Sequence, residues 1–358
     1  MLYLGIDQHR KQLTVNLRGE DGEVMLRRQV STCWAAVREF LAAVRDQARD
    51  QGGYLVVLEV CGFNDWLLKL LAEYGAKEVV LLQPEERRRQ KTDRRDANRL
   101  GELLWLNRER LRAGQRVQGL RRVVLPGAAE REDRQVTTLR WRMVRERTRL
   151  LNRVRGLLRR HNLEQDCPTK GITTVKAEKW LRELPLGELD RLELDGLLER
   201  KRVLQEQLAK VEAEVKARQA RQVTAPLLAT LPGLAAFGSL ALACRANDIA
   251  RFERPRSLAN YWGLTPGCRN SGETKQRLGS ITKQGSALAR FVLAQAVLHV
   301  LRKDGRLREW YKGIRRRRGS KIARVAVMRR LATLIWHMVK HGRPYRSPTA
   351  AVIPAAGS

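Results

Sequence analysis

The chain has 358 residues, and its 71 lysines and arginines against 38 aspartates and glutamates leave a formal net charge of +33. A surplus of this size is unusual for a metabolic enzyme and indicates that the protein binds a polyanion. Nucleic acid is favoured over an acidic membrane. The five cysteines are scattered without C-x-x-C spacing, which argues against a disulfide scaffold or zinc ribbon, and no run of about 18 apolar residues predicts a membrane helix.

Residues 1–125 have the pattern of an α/β segment. Short β-rich runs predict strands over residues 2–7, 12–17, 24–30, 54–60 and 78–82. Apolar residues at helical spacing predict helices over residues 33–51, 64–74 and 93–111. The order βββαβαβα is that of the ribonuclease-H-like fold, although other α/β folds begin in the same way.

Residues 126–218 predict a helical segment with two amphipathic stretches, in which apolar residues recur at steps of three and four. Two helices of this kind form an antiparallel coiled-coil hairpin or a dimerisation arm. A plain intramolecular helical bundle is the alternative, because the apolar seam is short and Arg147 interrupts it.

Residues 219–358 predict a mainly helical domain with an unusual excess of positive charge. The segment holds 26 basic and 5 acidic side chains, so +21 of the total +33 lies there. A solvated surface normally mixes both signs and does not explain this imbalance. Helices are predicted over residues 286–301 and 320–340. Residues 230–235 resemble the hairpin of a helix-hairpin-helix, although Ala235 replaces the usual second glycine.

Four carboxylates fall where such a sheet would bring them together. Asp7 ends the first strand, Glu59 lies near the end of the fourth, and Asp93 and Asp96 stand one turn apart at a helix start. The first and fourth strands are neighbours in a ribonuclease-H-like sheet, so the four side chains converge on one end of it. Converging carboxylates repel one another unless cations lie between them, and Mg²⁺ prefers such oxygen ligands. Two metal ions about 4 Å apart would clamp a phosphodiester.

Each of these residues also has an ordinary structural interpretation. Asp93 suits a helix N-cap, and Asp7 suits a turn at the end of a strand. Glu59 resists such an interpretation, because it lies in an apolar strand where a charge is costly without a partner.

Several segments near both ends of the chain form a distinctive set. In the N-terminal part they are G-I-D at 5–7, L-E at 58–59 and K-T-D-R-R-D-A at 91–97. In the C-terminal third they are L-P-G at 231–233, Phe252, S-L-A-N-Y-W-G-L-T-P at 257–266, N-S-G at 270–272 and I-T-K-Q-G at 281–285. Together these segments resemble the DEDD transposases of bacterial insertion sequences, whose N-terminal domain is RuvC-like. The D-x-x-D-A element alone is unspecific, but its combination with the C-terminal segments is specific.

The resemblance implies an RNA-guided DNA recombinase, in which a structured bridge RNA pairs with double-stranded donor and target DNA. It implies that Asp7, Glu59, Asp93 and Asp96 bind Mg²⁺ and that Ser271 attacks DNA. It also implies dimers that assemble into a tetramer, whose composite sites join the RuvC-like domain of one subunit to the transposase domain of another. Ser286 departs from the pattern, since an asparagine commonly follows the I-T-K-x-G element.

Ser271 lies between Asn270 and Gly272, in a stretch rich in turn formers. A serine is a poor nucleophile without activation, so it needs metal-bound oxygens or a base nearby. A turn serine that caps backbone is the ordinary interpretation. The competing serines are Ser239, Ser257, Ser280 and Ser286.

Three groups of basic residues are candidates for nucleic-acid contact. One directly precedes Asp93 and could hold the scissile strand, one follows Ser271, and one lies close to Trp310 and Tyr311. Basic residues with interleaved aromatics suit single strands or structured RNA, and a solvated face is the alternative. The groups are Arg87, Arg88, Arg89 and Lys91; Lys275, Arg277 and Lys283; and Arg315, Arg316, Arg317, Arg318 and Lys321.

The sequence therefore predicts an α/β plus all-α protein with three domains. These are a ribonuclease-H-like, RuvC-like domain over residues 1–125, a helical coiled-coil region over 126–218, and a helical transposase domain with a basic tail over 219–358. We expect a cytoplasmic bacterial protein that joins the nucleoid during action and has no membrane partner. Two alternatives stay open: a RuvC-like junction nuclease that uses water and can dispense with Ser271, and a non-enzymatic basic nucleic-acid-binding protein with structural carboxylates.

Overall fold

The computed structural model describes residues 1–83, 93–113, 115, 117, 122–269 and 277–346. The chain divides into two compact units, Met1–Leu125 and Pro126–Ser358. The division into three domains stays a prediction, and its boundary at residue 218 falls in the last turn of a long helix, Glu188–Arg221.

The first unit is built on one mixed five-stranded sheet. Its strands are β1 (Leu2–Gln8), β2 (Gln12–Arg18), β3 (Val24–Ser31), β4 (Tyr54–Glu59) and β5 (Glu78–Leu82). They lie in the order β3-β2-β1-β4-β5, with β1, β4 and β5 parallel and β2 antiparallel to both β1 and β3. The central strands β1 and β4 are buried along nearly their whole length, as strands covered on both faces must be, whereas the edge strand β3 is largely exposed.

Helices cover both faces of this sheet. They are α1 (Trp34–Ala48), α2 (Asp65–Glu73), α3 (Asp93–Leu106) and α4 (Arg108–Arg112). Residues of α1 and α2 share one core cluster with Ile6 and Leu58, and residues of α3 and α4 share a second with Tyr3 and Val57. Because successive strand residues point to opposite faces, the same strands serve both cores.

The second unit is mostly helical. Its helices are α5 (Ala128–Arg160), α6 (Val175–Glu183), α7 (Glu188–Arg221), α8 (Ala225–Ala229), α9 (Ala236–Ala246), α10 (Pro255–Tyr261), α11 (Ala287–Lys303) and α12 (Gly305–His341). The long helices α5 and α7 pack along each other around Leu150, Leu157 and Leu197. A larger core encloses Trp262, and α12 is interrupted at Gly319, where φ is 81° and ψ is 165°.

The mixed sheet and the helical second unit agree with the predicted fold class at this level, but two elements differ from the prediction. The helix predicted over residues 93–111 breaks at Asn107, whose φ of −110° and ψ of 12° are not helical. Two short strands, β6 (Pro266–Arg269) and β7 (Arg277–Ile281), form an antiparallel hairpin that was predicted only as a turn-rich stretch. The coiled-coil character of α5 and α7 stays a prediction. Within the described ranges, none of the helices has both the length and the apolar character that crossing a membrane requires.

Candidate functional site

The register of β1 and β4 brings two of the predicted acidic residues to adjacent positions. Ile6 pairs with Leu58 near the end of this parallel ladder, and Asp7 and Glu59 come next on their strands. Because residues two apart share a face of a strand, Asp7 lies on the same face as Gly5, which is the face that α3 covers. Both carboxylates are partly exposed at this end of the sheet.

The helix that begins at Asp93 and carries Asp96 packs very closely against β1. A Cβ built on Gly5 would overlap the backbone nitrogen of Gly101 and would lie 2.8 Å from the carbonyl oxygen of Ala97. The backbones of helix and strand therefore touch, which only a residue without a side chain permits. This contact fixes where α3 presents Asp96, which is half-buried, relative to the end of β1. The side chain of Asp93 lies outside the described residues.

A buried amide network ties the ends of β1 and β4 together. Asn64 Nδ2 donates to Gln8 Oε1 at 2.8 Å and to the carbonyl oxygen of Glu59 at 3.2 Å, and Asn64 Oδ1 accepts from the N–H of Cys61 at 2.6 Å. Asn64 is 5% exposed and Gln8 is 8% exposed. Sequence analysis missed both residues, because an amide at a helix start and an amide at a strand end carry no local motif.

Asp7 also has neighbours that the sequence did not single out. His9 Nε2 lies 3.1 Å from Asp7 Oδ2. Burial raises the pKa of the Cys61 thiol, and the negative charge of Asp7 adds to this shift. A histidine two residues beyond a strand-end aspartate falls on the same side of an extended chain, and this spacing is the signal that could have found it.

The chemistry of this sheet end suits a hard divalent cation, since carboxylate oxygens are the ligands that Mg²⁺ prefers. Within the described part of the chain, however, no three His, Cys, Asp or Glu side chains lie close enough together to hold a metal ion. The Asp93 side chain is not among those residues. The structure brings Asp7 and Glu59 to neighbouring strand ends, while the four-residue metal site stays a prediction.

Ser271 lies outside the described residues, in the segment that joins β6 to β7. The strands leading into that segment are described: Arg269 pairs with Arg277, and Pro266 pairs with Ile281. The side chain of Arg277 and the whole of Lys275 also lie outside the described residues. The structure therefore defines the stem of a hairpin whose connecting segment carries the predicted nucleophile.

Two glycines fix the base of this hairpin. Gly263 has a φ of +69°, and a Cβ there would overlap the carbonyl oxygen of Gln284. Gly285, which ends the I-T-K-Q-G segment, has a φ of +93°, and a Cβ there would overlap the carbonyl oxygen of Tyr261. Both left-handed conformations favour glycine. The N–H of Lys283 donates to the Gly263 carbonyl at 3.1 Å and extends the pairing beyond the two strands.

Two of the four competing serines have structural contacts. Ser239 is fully buried, and its hydroxyl donates to a backbone carbonyl of its own helix. Ser286 caps α11, where its Oγ accepts from the N–H of Ala289 at 3.1 Å. Ser257 is half-buried, and Ser280 is exposed on β7.

The basic residues of α12 are exposed. This holds for Arg315, Arg316, Arg317, Arg318 and Lys321, and also for Lys283 after the hairpin. The guanidinium of Arg330 lies 5.2 Å from the ring centroid of Trp310, in the wall of a cavity of about 380 Å³. The group Arg87, Arg88, Arg89 and Lys91 lies outside the described residues.

Comparison with known proteins gives matches in both units. A family model described as the transposase IS116/IS110/IS902 family matches residues 225–312, and a DEDD transposase model of the IS110 type matches residues 4–163. The chain is 30% identical to the transposase for insertion sequence element IS1111A of Coxiella burnetii, over 81% of this chain and 79% of that protein. It is 27% identical to a probable family 20 transposase of Pseudomonas aeruginosa, over 96% of this chain and 98% of that protein.

Proposed function

The chain belongs to the IS116/IS110/IS902 family of transposases, and from this premise we propose that it is an RNA-guided recombinase that cuts and rejoins donor and target DNA. Membership makes it a transposase that acts on DNA, and the DEDD family implies dependence on a divalent metal. The observation that carries the proposed DNA cleavage is the placement of Asp7 and Glu59 on adjacent strand ends, with α3 packed on the same face. The strand order β3-β2-β1-β4-β5 supports a RuvC-like, ribonuclease-H-like domain.

In this proposal, Asp7, Glu59, Asp93 and Asp96 hold Mg²⁺ at the end of the sheet. A bound divalent ion supplies positive charge that stabilises the attacking and leaving oxygens of a phosphodiester. The protein itself contributes geometry, because the close packing of α3 and the Asn64 network hold strand ends and helix in place before DNA arrives.

We propose Ser271 as the nucleophile. Its Oγ forms a bond to a DNA phosphorus as the bond from that phosphorus to a deoxyribose oxygen breaks, and the proton lost by the serine is balanced by one gained by the freed strand end. The resulting phosphoserine conserves the phosphodiester energy, so the reverse attack by another strand end needs no external energy source. The β6–β7 hairpin, fixed at its base by Gly263 and Gly285, supports this role by giving the serine a defined stem.

The test compares Ser271→Ala with Ser280→Ala, an exposed serine on the same hairpin. Wild-type protein is quenched with denaturant during reaction on labelled DNA, and the expected product is a protein–DNA adduct in the peptide that contains Ser271. Ser280→Ala should give the same adduct, whereas Ser271→Ala should give neither adduct nor cleavage. Cleavage by Ser271→Ala at the wild-type rate would contradict the serine mechanism and favour a nuclease that uses water.

We propose a structured guide RNA as a second partner. The exposed arginines of α12 support this, because exposed arginines can neutralise phosphates of the RNA. Each phosphate neutralised on a single strand releases about 0.7 counterions, and this release favours binding at low salt. Replacing Arg315 to Arg318 with alanine should flatten the log–log salt dependence of RNA binding by up to about 3 units. An unchanged salt dependence would show that these arginines do not contact the RNA. Sequencing the RNA that copurifies with the protein identifies the guide.

We propose that the chain also acts as a homo-oligomer, through a second copy seated on the groove between α5 and α7. The groove encloses about 950 Å³ and includes Leu139 and Val203, which are 46% and 38% exposed. Exposed apolar side chains aligned along a helix pair are typical of self-association surfaces. Leu139→Lys should shift the solution mass measured by light scattering towards the monomer, and an unchanged mass would rule out this face.

A further inference from the structure

A second cavity adjoins the carboxylate end of the sheet in the first unit. It encloses about 270 Å³ between α3 and the outer strands, and the lining of this Thr14 pocket includes Thr14, Asn16, Arg27, Gln29, Ala97 and Asn98. Thr14 is the cross-strand partner of Asp7, and Ala97 and Asn98 directly follow Asp96. The pocket is therefore a direct neighbour of two of the proposed catalytic carboxylates.

A buried hydroxyl without a hydrogen-bond partner belongs to a residue that lines the pocket. Thr14 is 3% exposed, and its Oγ1 has no hydrogen-bond partner in the part of the chain that the structure describes. A buried polar atom without a partner costs free energy, and such atoms are rare in native proteins. A ligand atom that accepts from Thr14 Oγ1 would remove this cost.

A network of two amides leaves one NH₂ group in the wall of the pocket to donate to a ligand. Arg18 donates to Asn16 Oδ1 through Nε and to Asn98 Oδ1 through Nη2, both at 3.2 Å. Asn16 Nδ2 donates to Asn98 Oδ1 at the same distance. The network thus assigns both amide oxygens as acceptors within the protein. The NH₂ group of Asn98 is left to donate, since it has no acceptor among the described residues.

The charge of the pocket selects an anion. Arg27 and Arg28 are the two cations among the residues that line it, and none of those residues is acidic. A guanidinium, a hydroxyl and an amide NH₂ that all donate are suited to phosphate oxygens, whereas a metal ion would need acceptors. The volume lies just below the range of about 300–1,000 Å³ that is typical for drug-sized ligands, so it suits one phosphate with part of its sugar.

We propose that the Thr14 pocket binds one phosphate of the DNA strand that is cut at the neighbouring carboxylates. The inference rests on the proposed DNA cleavage and adds a binding subsite to it. By holding a phosphate near the scissile one, Thr14, Arg27 and Asn98 set the register of the strand over the sheet end.

The chain offers a matched control at the next residue. Arg28 also borders the cavity, but its guanidinium lies 5.2 Å from the centroid of the Phe40 ring, which belongs to the core on the opposite face of the sheet. Arg27→Gln and Arg28→Gln remove the same charge from adjacent positions of one edge strand. Arg27 is the cross-strand partner of Asn16 and lies on the pocket side of the sheet, whereas Arg28 is the partner of Val15 on the other side, so the first substitution alone is expected to remove a guanidinium from the pocket.

The test uses the full chain with its copurified RNA and a DNA duplex spanning a cleavage site mapped with wild-type protein. A neutral methylphosphonate replaces one phosphate at a time. With wild-type protein, one position near the scissile phosphate should slow cleavage by about tenfold to a hundredfold, the loss expected for one charge-assisted hydrogen-bonded contact. Arg27→Gln and Thr14→Val should cut unmodified DNA more slowly by a similar factor, and the methylphosphonate at that position should slow them little further.

Arg28→Gln should keep both the wild-type rate and the wild-type sensitivity to the methylphosphonate. If the penalties of Arg27→Gln and the methylphosphonate multiply, or if Arg27→Gln behaves like Arg28→Gln, the pocket does not bind the DNA phosphate. Loss of copurified RNA from Arg27→Gln with unchanged DNA sensitivity would assign the pocket to RNA and overturn the proposal. Should Thr14→Val fail to fold, the Arg27 pair decides alone. A wild-type protein that cuts no DNA would instead contradict the proposed function.

Discussion

Both candidate sites depend on glycines in close contact, but the constraint on the glycine differs between them. At the sheet end, Gly5 has an ordinary backbone conformation and is required only because α3 leaves no space for a Cβ. At the base of the β6–β7 hairpin, Gly285 combines the lack of space with a φ of +93°. The first constraint is steric, whereas the second is steric and conformational.

The difference shows how each site can respond to change. A side chain at Gly5 would overlap the backbone of Ala97 and Gly101, so α3 as a whole must move away and carry Asp96 with it. A hairpin base that needs a left-handed residue has no such freedom, because the strain stays wherever the neighbours move. A substitution at Gly5 is therefore predicted to displace the carboxylate of α3 while the domain stays folded. A substitution at Gly285 is predicted to unfold the base of the hairpin.

The largest effect is expected when a proposed catalytic carboxylate is removed and the packing of α3 on the sheet is unchanged. Asp7→Ala and Glu59→Ala should each lower the rate of DNA cleavage by about a thousandfold or more, since both residues are proposed metal ligands and loss of a metal ligand removes several kcal/mol of transition-state stabilisation. Asp65→Ala, which removes an exposed carboxylate from α2, is the matched control and should cleave normally. Normal rates for both Asp7→Ala and Glu59→Ala in Mg²⁺ would contradict the shared-site assignment.

The next largest effect is expected at the hairpin base. Gly285→Ala should lower the free energy of unfolding by about 3 kcal/mol or more, because backbone strain adds to overlap with the Tyr261 carbonyl oxygen. Gly267→Ala, on β6 of the same hairpin, meets nothing closer than 3.7 Å and is the control. Urea titration of the two variants measures the difference, and equal midpoints would show that the base of the hairpin is not constrained.

A smaller effect is expected at Gly5. Gly5→Ala should cost about 2–3 kcal/mol, the upper part of the usual range for overpacking, because the overlap is with the backbone of α3 and not with a flexible side chain. The cleavage rate per folded molecule should also fall, since the same movement displaces Asp96. Gly62→Ala, where nothing lies within 4 Å, should change neither quantity. A Gly5→Ala variant with reduced stability and a normal rate would show that α3 does not position the carboxylate.

The parts of this arrangement that the sequence predicted are those with local signals. The predicted strand over residues 78–82 coincides with β5, and the ends of β1 and β4 differ by one residue from the prediction, because each is an apolar run bounded by polar residues. Glu59 stood out for the same reason. The contact of Gly5 with Gly101 and the bond from Asn64 to Gln8 join residues far apart in the chain, so no local pattern contains them. The β6–β7 hairpin was missed because its prolines and glycines are also typical of a turn.

The smallest effect is expected at Ser286, which directly follows Gly285 and departs from the asparagine of the resembled family. Its Oγ satisfies the N–H of Ala289, one of the donors that the first turn of α11 cannot pair internally. Ser286→Ala should therefore cost about 1 kcal/mol in the free energy of unfolding, whereas Ser286→Asn should stay within a few tenths, because asparagine and serine cap helices about equally well. Ser280→Ala is the control for loss of a hydroxyl without a cap and should change stability by less than about 0.5 kcal/mol.

The comparison separates a capping role from a chemical one, since a cap accepts alanine at a modest cost and tolerates asparagine, and a nucleophile tolerates neither. If Ser286→Ala and Ser286→Asn both abolished cleavage while remaining folded, Ser286 would replace Ser271 as the proposed nucleophile, and the base of the hairpin would become the reacting site.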